Sequence, residues 1–313
     1  MCKKPRIIAV GANPAWQKVL QFKCLRHNAV NRADSLLAFA SGKGVNFARA
    51  AKKFAAAEVE LLQFAGGDNG RLLLADLEQE ALSATSIPVQ EPTRCCITCL
   101  SQADNSMTEL IEPSIAPDTA AQSAALEFLQ EKLPEADGLA LCGQLPGGMA
   151  IDFYVHCAQI AAACGKQLLI DSWKNAEALL PHARQAALKI NVEELQMLTG
   201  IADVSAAAQS LFSSYELTAA AITDGAGQAY FFAREHAWRY TVPYLAEVVN
   251  PVGSGDTASA VFFSAVLSGQ EPVEAFAWAL AAATANCLSL KCGEFELSKM
   301  EEFRSQVIVE SIY

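Results

Sequence analysis

Asn250-Pro251-Val252-Gly253-Ser254-Gly255-Asp256-Thr257 stands between two runs of different character. Residues 242–249 before it read as a strand. Residues 256–268 after it read as an apolar helix that stops at Gly269. Ala258, Val261, Phe262, Ala265 and Val266 recur at helical spacing, which predicts one buried face. Gly253 and Gly255 leave the backbone bare where the first amides of that helix lack partners, and the positive end of the helix dipole adds to them. The result is an anion site. Asp256 inside it would repel the anion, unless its task is to take a proton from a hydroxyl attacking that anion. Donors for phosphoryl oxygens and a base for the nucleophile are what phosphoryl transfer to an alcohol needs. The same residues also suit a plain glycine-rich turn with Asp256 as helix cap, so the rest of the chain must decide.

Outward from this stretch, strands and helices alternate. Strand candidates are residues 139–142, 167–171, 188–191 and 219–223, separated by Ala-rich helices at 120–133, 153–163 and 204–213, with another at 276–287. Such alternation predicts a parallel sheet covered on both faces, with ligands outside the carboxyl ends of its strands. Asn13, Asn191, Thr223-Asp224-Gly225 and Gly253–Asp256 all fall at those ends. Nearer the start, residues 6–11 and 60–64 read as strands, and a helix is expected at 47–54 and another at 72–80. Residues 94–100 and 107–111 read as a β-hairpin. With alternating segments at 19–22 and 35–39, it predicts a small second sheet, a lid or an interface. No internal repeat, low-complexity tract or charged tail interrupts this pattern.

The chain has 313 residues, 52% of them hydrophobic and 18% charged, enough to bury a large core in one domain plus an appendage. A formal net charge of −11 argues against a broad surface for nucleic acid or acidic membranes. A small anion in a cleft with a few lysines and arginines remains compatible. Ten cysteines (2, 24, 95, 96, 99, 142, 157, 164, 287 and 292) show no paired metal spacing. They read as reduced core residues of a cytoplasmic protein. The N-terminus carries no apolar signal core, and no apolar run approaches the ~20 residues of a membrane span.

No Gly-x4-Gly-Lys-Ser/Thr phosphate loop is present, and no Gly-x-Gly-x-x-Gly follows the first strand. Gly225-Ala226-Gly227 comes nearest, with Tyr230 in the third glycine's place. Asn191-Val192-Glu193-Glu194 follows a strand, where a carboxylate suits Mg²⁺ beside nucleotide phosphates and equally suits an acidic first helical turn.

Taken in order, the motifs resemble the ribokinase/PfkB family of ATP-dependent sugar kinases over essentially the whole chain. The branch that the chain resembles most is that of the 1-phosphofructokinases and tagatose-6-phosphate kinases. The matching positions begin with Asn13-Pro14, Asn31-Arg32 and Ser41-Gly42-Lys43-Gly44-Val45-Asn46-Phe47-Ala48-Arg49. Thr93-Arg94, Thr108-Glu109-Leu110-Ile111-Glu112-Pro113 and Gly143-Gln144-Leu145-Pro146-Gly147-Gly148 follow. Lys189-x-Asn191-x-x-Glu194, Thr223-Asp224-Gly225 and Gly253-Ser254-Gly255-Asp256 complete the series.

The resemblance implies a three-layer α/β/α sandwich of one domain spanning 1–313, with lid β-segments inserted at about 14–40 and 93–113. It implies that Asp256 is the base and that the amides of Gly253, Ser254 and Gly255 hold the transferred phosphoryl group. Glu194, helped by Asn191, would position Mg²⁺. Lys189, Asn191, Thr223, Gly225, Gly227 and Asn286 would serve ATP. Asn13, Gly42, Lys43 and Asn46 would meet the sugar, and Arg94 the phosphate of a phosphosugar. The lid often forms a homodimer contact. Three positions depart from the family's pattern. Gln17 stands where it carries a sugar-binding Asp, Ser41 replaces a glycine, and Val261 replaces a small residue. The function implied is phosphoryl transfer to a phosphorylated ketohexose such as fructose 1-phosphate or tagatose 6-phosphate. Two alternatives are kinase activity on an unphosphorylated sugar or nucleoside, and a non-catalytic regulator on the same fold, which would need neither Asp256 nor Glu194.

Overall fold

The computed structural model describes residues 3–312. In chain order the strands are β1 (Arg6–Gly11), β2 (Ala15–Phe22), β3 (Ser35–Ser41), β4 (Glu58–Ala65), β5 (Ala84–Pro88), β6 (Arg94–Ser101) and β7 (Ser106–Ile111). They continue with β8 (Gly138–Cys142), β9 (Gln167–Asp171), β10 (Ala186–Asn191), β11 (Leu217–Asp224), β12 (Gln228–Ala233), β13 (His236–Thr241) and β14 (Ile308–Ser311). The helices are α1 (Lys43–Phe54), α2 (Gly67–Gln79), α3 (Thr119–Lys132), α4 (Asp152–Ala163) and α5 (Ala176–Leu179). After them come α6 (Val192–Thr199), α7 (Val204–Ser214), α8 (Ser254–Leu267), α9 (Pro272–Asn286) and α10 (Leu297–Arg304).

The large sheet has the order β14-β13-β12-β11-β10-β9-β8-β1-β4-β5. From β5 to β11 all its pairings are parallel; the last three are antiparallel. Strands such as β8, buried at every residue, need cover on both faces. One face packs under α1, α8 and α9 through Ala48, Phe262 and Phe276; the other packs under α3, α4 and α7 through Leu129, Tyr154 and Leu211. The fold is therefore a three-layer α/β/α sandwich. A second sheet, β3-β2-β6-β7, stands apart from the first, and is built from the two segments expected to form it.

Most of the strands fall where the hydrophobic pattern puts them, and four features differ from expectation. Residues 242–249 form no strand. Pro243 cannot donate to a ladder, and Tyr244, Val248 and Val249 are exposed rather than packed. The helix expected to bury one face, α8, is buried on every residue from Asp256 to Ala265, because α1 and α9 enclose it against the sheet. The β12–β13 hairpin was not expected at all. Its turn is Arg234-Glu235, without the Gly or Asn that marks a two-residue hairpin connection. β5 and β14 were likewise unexpected. Among the cysteines, Cys2 lies outside the described residues, and the other nine are free thiols. No group of three or more His, Cys, Asp or Glu placed to hold a metal occurs among the described residues.

Candidate active site

Parallel strands deliver their carboxyl ends to one side of the sheet, and the polar residues gather there. β1 leads into Asn13, β8 into Gly143, β9 ends in Asp171, β10 carries Lys189 and Asn191, and β11 leads into Gly225. The N-terminus of α8 faces them.

Asp256 lies in the first turn of α8 and is buried. Its Oδ2 accepts from Asn46 Nδ2 at 2.8 Å, and its Oδ1 lies 3.2 Å from Lys43 Nζ. Lys43 also donates to Asp171 Oδ1 at 2.9 Å, and Asp171 Oδ2 accepts from Ser259 Oγ at 2.7 Å. One ammonium thus bridges two carboxylates, one at a strand end and one at a helix start. Burial works to lower the pKa of Lys43, but Asp171 and Asp256 outweigh it and hold it well above the ordinary lysine value. Burial likewise works to raise that of Asp171, and Lys43 and Lys189 prevail and hold it down. Lys189 has less support: burial pushes its pKa below the ordinary value despite Asp171. Its Nζ would lie 3.0 Å from a Cβ placed on Gly255, so it sits at the head of α8.

Two glycines make this geometry possible. Gly143 has φ +84°, and a Cβ there would meet Lys43 Cδ at 2.8 Å, so only glycine lets the lysine lie across the turn. Gly253 caps α8 with φ +84°, its back against Cys292, where a Cβ would come within 2.7 Å of the Cys292 Cβ. The amides of Gly253, Gly255 and Asp256 donate to no acceptor among the described residues, whereas that of Ser254 turns back to Pro251 O at 3.3 Å. The free set is therefore shifted from the one expected, with Asp256 in place of Ser254.

Asn46 is fixed on its other side. Its Oδ1 accepts from Ser41 Oγ at 3.1 Å and from Arg49 Nη1 at 3.4 Å, which turns its NH₂ toward Asp256. Asn191 and Glu194 form a reciprocal capping box on α6: Asn191 Oδ1 accepts from the Glu194 amide at 2.8 Å, and Glu194 Oε2 accepts from the Asn191 amide at 2.9 Å. Glu194 still contributes charge toward Lys43 and Lys189. Thr223, Gly225 and Gly227 line the turn from β11 to β12. Asn286 is sealed in, bonded to Thr257 Oγ1 at 3.1 Å, the Gly293 amide at 2.7 Å and Val252 O at 3.2 Å, so it secures the loop that leads into α8.

On the lid side, Gly42 caps α1 in an open backbone conformation. Arg94 Nη2 donates to Asn13 O at 3.2 Å, and Arg94 Nε is buried without a partner among the described residues. A small recess there is lined by Asn13, Pro14, Thr93, Arg94 and Pro146. Gln17 is buried, with Nε2 on Thr98 Oγ1 at 2.8 Å. Asp171, Ser259 and Thr98 were not anticipated. Asp171 did carry a signal, being the lone charge that closes the apolar strand 167–171.

The family model for the pfkB carbohydrate kinases matches residues 6–299. The chain belongs to the pfkB family. This kinase is 25% identical over 312 residues to the tagatose-6-phosphate kinase of Staphylococcus epidermidis, spanning 97% of this chain and 99% of that one. A Staphylococcus aureus structure provisionally named a phosphofructokinase is 26% identical, with a TM-score of 0.78 over 98% of this chain and 99% of the other. A Thermotoga maritima structure provisionally named a 1-phosphofructokinase has a TM-score of 0.87 at 15% identity, over 98% and 100% of the chains, and shows the shared fold. The chain is an ATP-dependent carbohydrate kinase. No helix among its described residues is long and apolar enough to cross a membrane.

Proposed function

We propose that this kinase transfers the γ-phosphoryl group of ATP to a hydroxyl of a phosphorylated ketohexose, fructose 1-phosphate, tagatose 6-phosphate or a close relative, with Asp256 as general base. The observation that carries the reading is Asp256 itself. It is a buried carboxylate in the first turn of a helix, beside three amides with no acceptor among the described residues.

A hydroxyl entering beside Asp256 takes the place of Lys43 on Oδ1, and Lys43 stays on Asp171, its closer partner at 2.9 Å. Asn46 holds Oδ2 throughout, so the free oxygen faces the hydroxyl and receives its proton. The amides of Gly253, Gly255 and Asp256, with Lys189 behind them, take up negative charge on the phosphoryl oxygens. Ser254 serves this hole through its place in the backbone. Lys189, Asn191, Thr223, Gly225 and Gly227 lie along the strand ends suited to the nucleotide, and Asn286 supports it by holding the loop. Magnesium takes one or two carboxylates together with phosphate oxygens and water. Glu194, whose Oε1 has no bond among the described residues, fits that need, with Asn191 holding it in place. The ion would draw charge from the β- and γ-phosphates. On the sugar side, Asn13, Gln17 and Gly42 line the approach, and the unsatisfied Nε of Arg94 suits a phosphate. The chain is read as one domain, whose lid, at about residues 14–40 and 93–113, also pairs two copies.

An ADP-release assay over sugars and sugar phosphates tests the proposal. Fructose 1-phosphate, fructose 6-phosphate and tagatose 6-phosphate should stimulate ATP consumption far more than fructose, tagatose or ribose. A best substrate without a phosphate would overturn it, as would no stimulation by any sugar.

A further inference from the structure

Thr98 lies in the middle of β6 and exposes 0% of its surface, yet its side chain is polar. Its hydroxyl has two neighbours: Gln17 Nε2 at 2.8 Å and Glu109 Oε1 at 3.4 Å. The sheet register puts all three on one face. Gln17 is level with Cys96 on β6, Thr98 is the next residue on that side, and Glu109 is the antiparallel partner of Thr98 on β7.

A hydroxyl has one proton, and a carboxylate is acceptor-only. The proton of Thr98 goes to Glu109, which leaves lone pairs for Gln17. Only the NH₂ of the Gln17 amide can bond to those, so its carbonyl must point the other way. That carbonyl oxygen finds no donor among the described residues, yet it is not one of the sealed unpartnered atoms, which are in Gln63, Arg94 and Ser264. It therefore keeps an opening. The same face of the lid carries Val19 and Phe39, which pack on Cys292, and Ser41 lies two residues beyond Phe39, just before Gly42 and Lys43. The opening faces the space between lid and sandwich.

We infer that Thr98, backed by Glu109, is a positioning residue that locks Gln17 as a hydrogen-bond acceptor for one hydroxyl of the sugar. This rests on the phosphosugar reading above and adds a rule of selection to it. A free amide would donate or accept as the substrate required. A locked one holds its carbonyl oxygen in one direction, so it discriminates by where a hydroxyl projects. Tagatose 6-phosphate and fructose 6-phosphate, which differ only in configuration at C4, are the natural pair to compare.

Thr98→Val keeps the shape and removes the hydroxyl. With the better of the two phosphosugars, its KM should rise about fivefold, the worth of one hydrogen bond, while kcat and the KM for ATP stay within about twofold. The kcat/KM ratio between the two epimers should move toward unity. Thr98→Ser should restore both. In a Gln17→Ala background, Thr98→Val should change nothing further. An unchanged sugar KM, additive effects of the two substitutions, or no rescue by serine would overturn the inference. Should Thr98→Val fail to fold, Glu109→Ala on the exposed edge reads the same lock. It should raise the sugar KM about two- to threefold, and no rise overturns the inference. A wild type that turns over no phosphosugar fails the functional reading instead and takes this one with it, so the two failures are distinct.

Discussion

Lys43 comes from the start of α1 and holds two carboxylates that lie far apart in the chain, Asp171 and Asp256. The shared ammonium places a positive charge beside each of these buried carboxylates. Replacing Asp256 by Asn keeps the shape and the bond to Asn46 but removes the proton acceptor. Because Gly253, not Asp256, caps α8, the helix should survive. Asp256→Asn should lower kcat by ~10² to 10⁴ and leave the KM for ATP nearly unchanged. Turnover near the wild-type value would end the claim that Asp256 is the base. Arg94 is tested on its own terms. Its loss removes a charge-assisted contact of about 1.5–3 kcal/mol, so Arg94→Ala should raise the phosphosugar KM more than tenfold and spare that for ATP. An unaltered phosphosugar KM would place the phosphate elsewhere.

At the scale of elements, the foot of the lid is pinned by charge. The Ala40 amide on β3 donates to Asp76 Oδ2 at 2.8 Å, and its carbonyl accepts from Arg49 Nη2 at 2.7 Å. Arg49 also grips Glu80 at 2.6 Å, Lys291 reaches Glu80 at 2.9 Å, and both cations lie against the ring of Phe39. Burial works to raise the pKa of Glu80, but its hydrogen bonds and charge contacts with Arg49 and Lys291 prevail and bring it to about 2. A folded-state value below the unfolded one means that this stability is present above the unfolded value and is lost as pH falls through the folded one. Urea midpoints should therefore fall between about pH 4.5 and pH 2. Glu80→Gln should be less stable at pH 7 and show a flatter slope over that interval. Parallel acid curves for the two proteins would remove Glu80 from the account. Sequence reading handled the elements unevenly for a physical reason. β1 and β9 were located with their observed ends because a buried parallel strand is a continuous apolar run between polar ends. β12 and β13 are hard to read because their turn lacks a marker residue, and the strand-like run 242–249 is broken by Pro243, which cannot donate to a ladder. At the site, residues carried by glycine-rich motifs were legible. Asp171 and Thr98 act through partners 128 and 81 positions away, and no local pattern announces such pairs.

For the whole molecule, the two faces of the lid have different work. One carries Gln17, Thr98 and Phe39 and looks toward the sandwich. The other is apolar at its far end: Leu20 is level with Leu36, and Ile97 with Leu110, and Leu36 and Leu110 are 60% and 55% exposed. β7 forms an edge of the sheet and is exposed along its whole length. An open edge with apolar side chains invites pairing, and a net charge of −11 discourages indiscriminate contact elsewhere. A second copy meeting this face would bury Leu36 and Leu110 and stiffen the sheet that holds Gln17 and Arg94. The kinase should accordingly run as a dimer in light scattering at micromolar concentration. Leu36→Glu with Leu110→Glu should give a monomer whose sugar KM rises while its KM for ATP holds, since the strand ends proposed for the nucleotide belong to the sandwich. A wild-type monomer, or a dimer untouched by both substitutions, would show that the lid is not the contact. A monomeric variant with an unchanged sugar KM would show that the lid holds its shape alone.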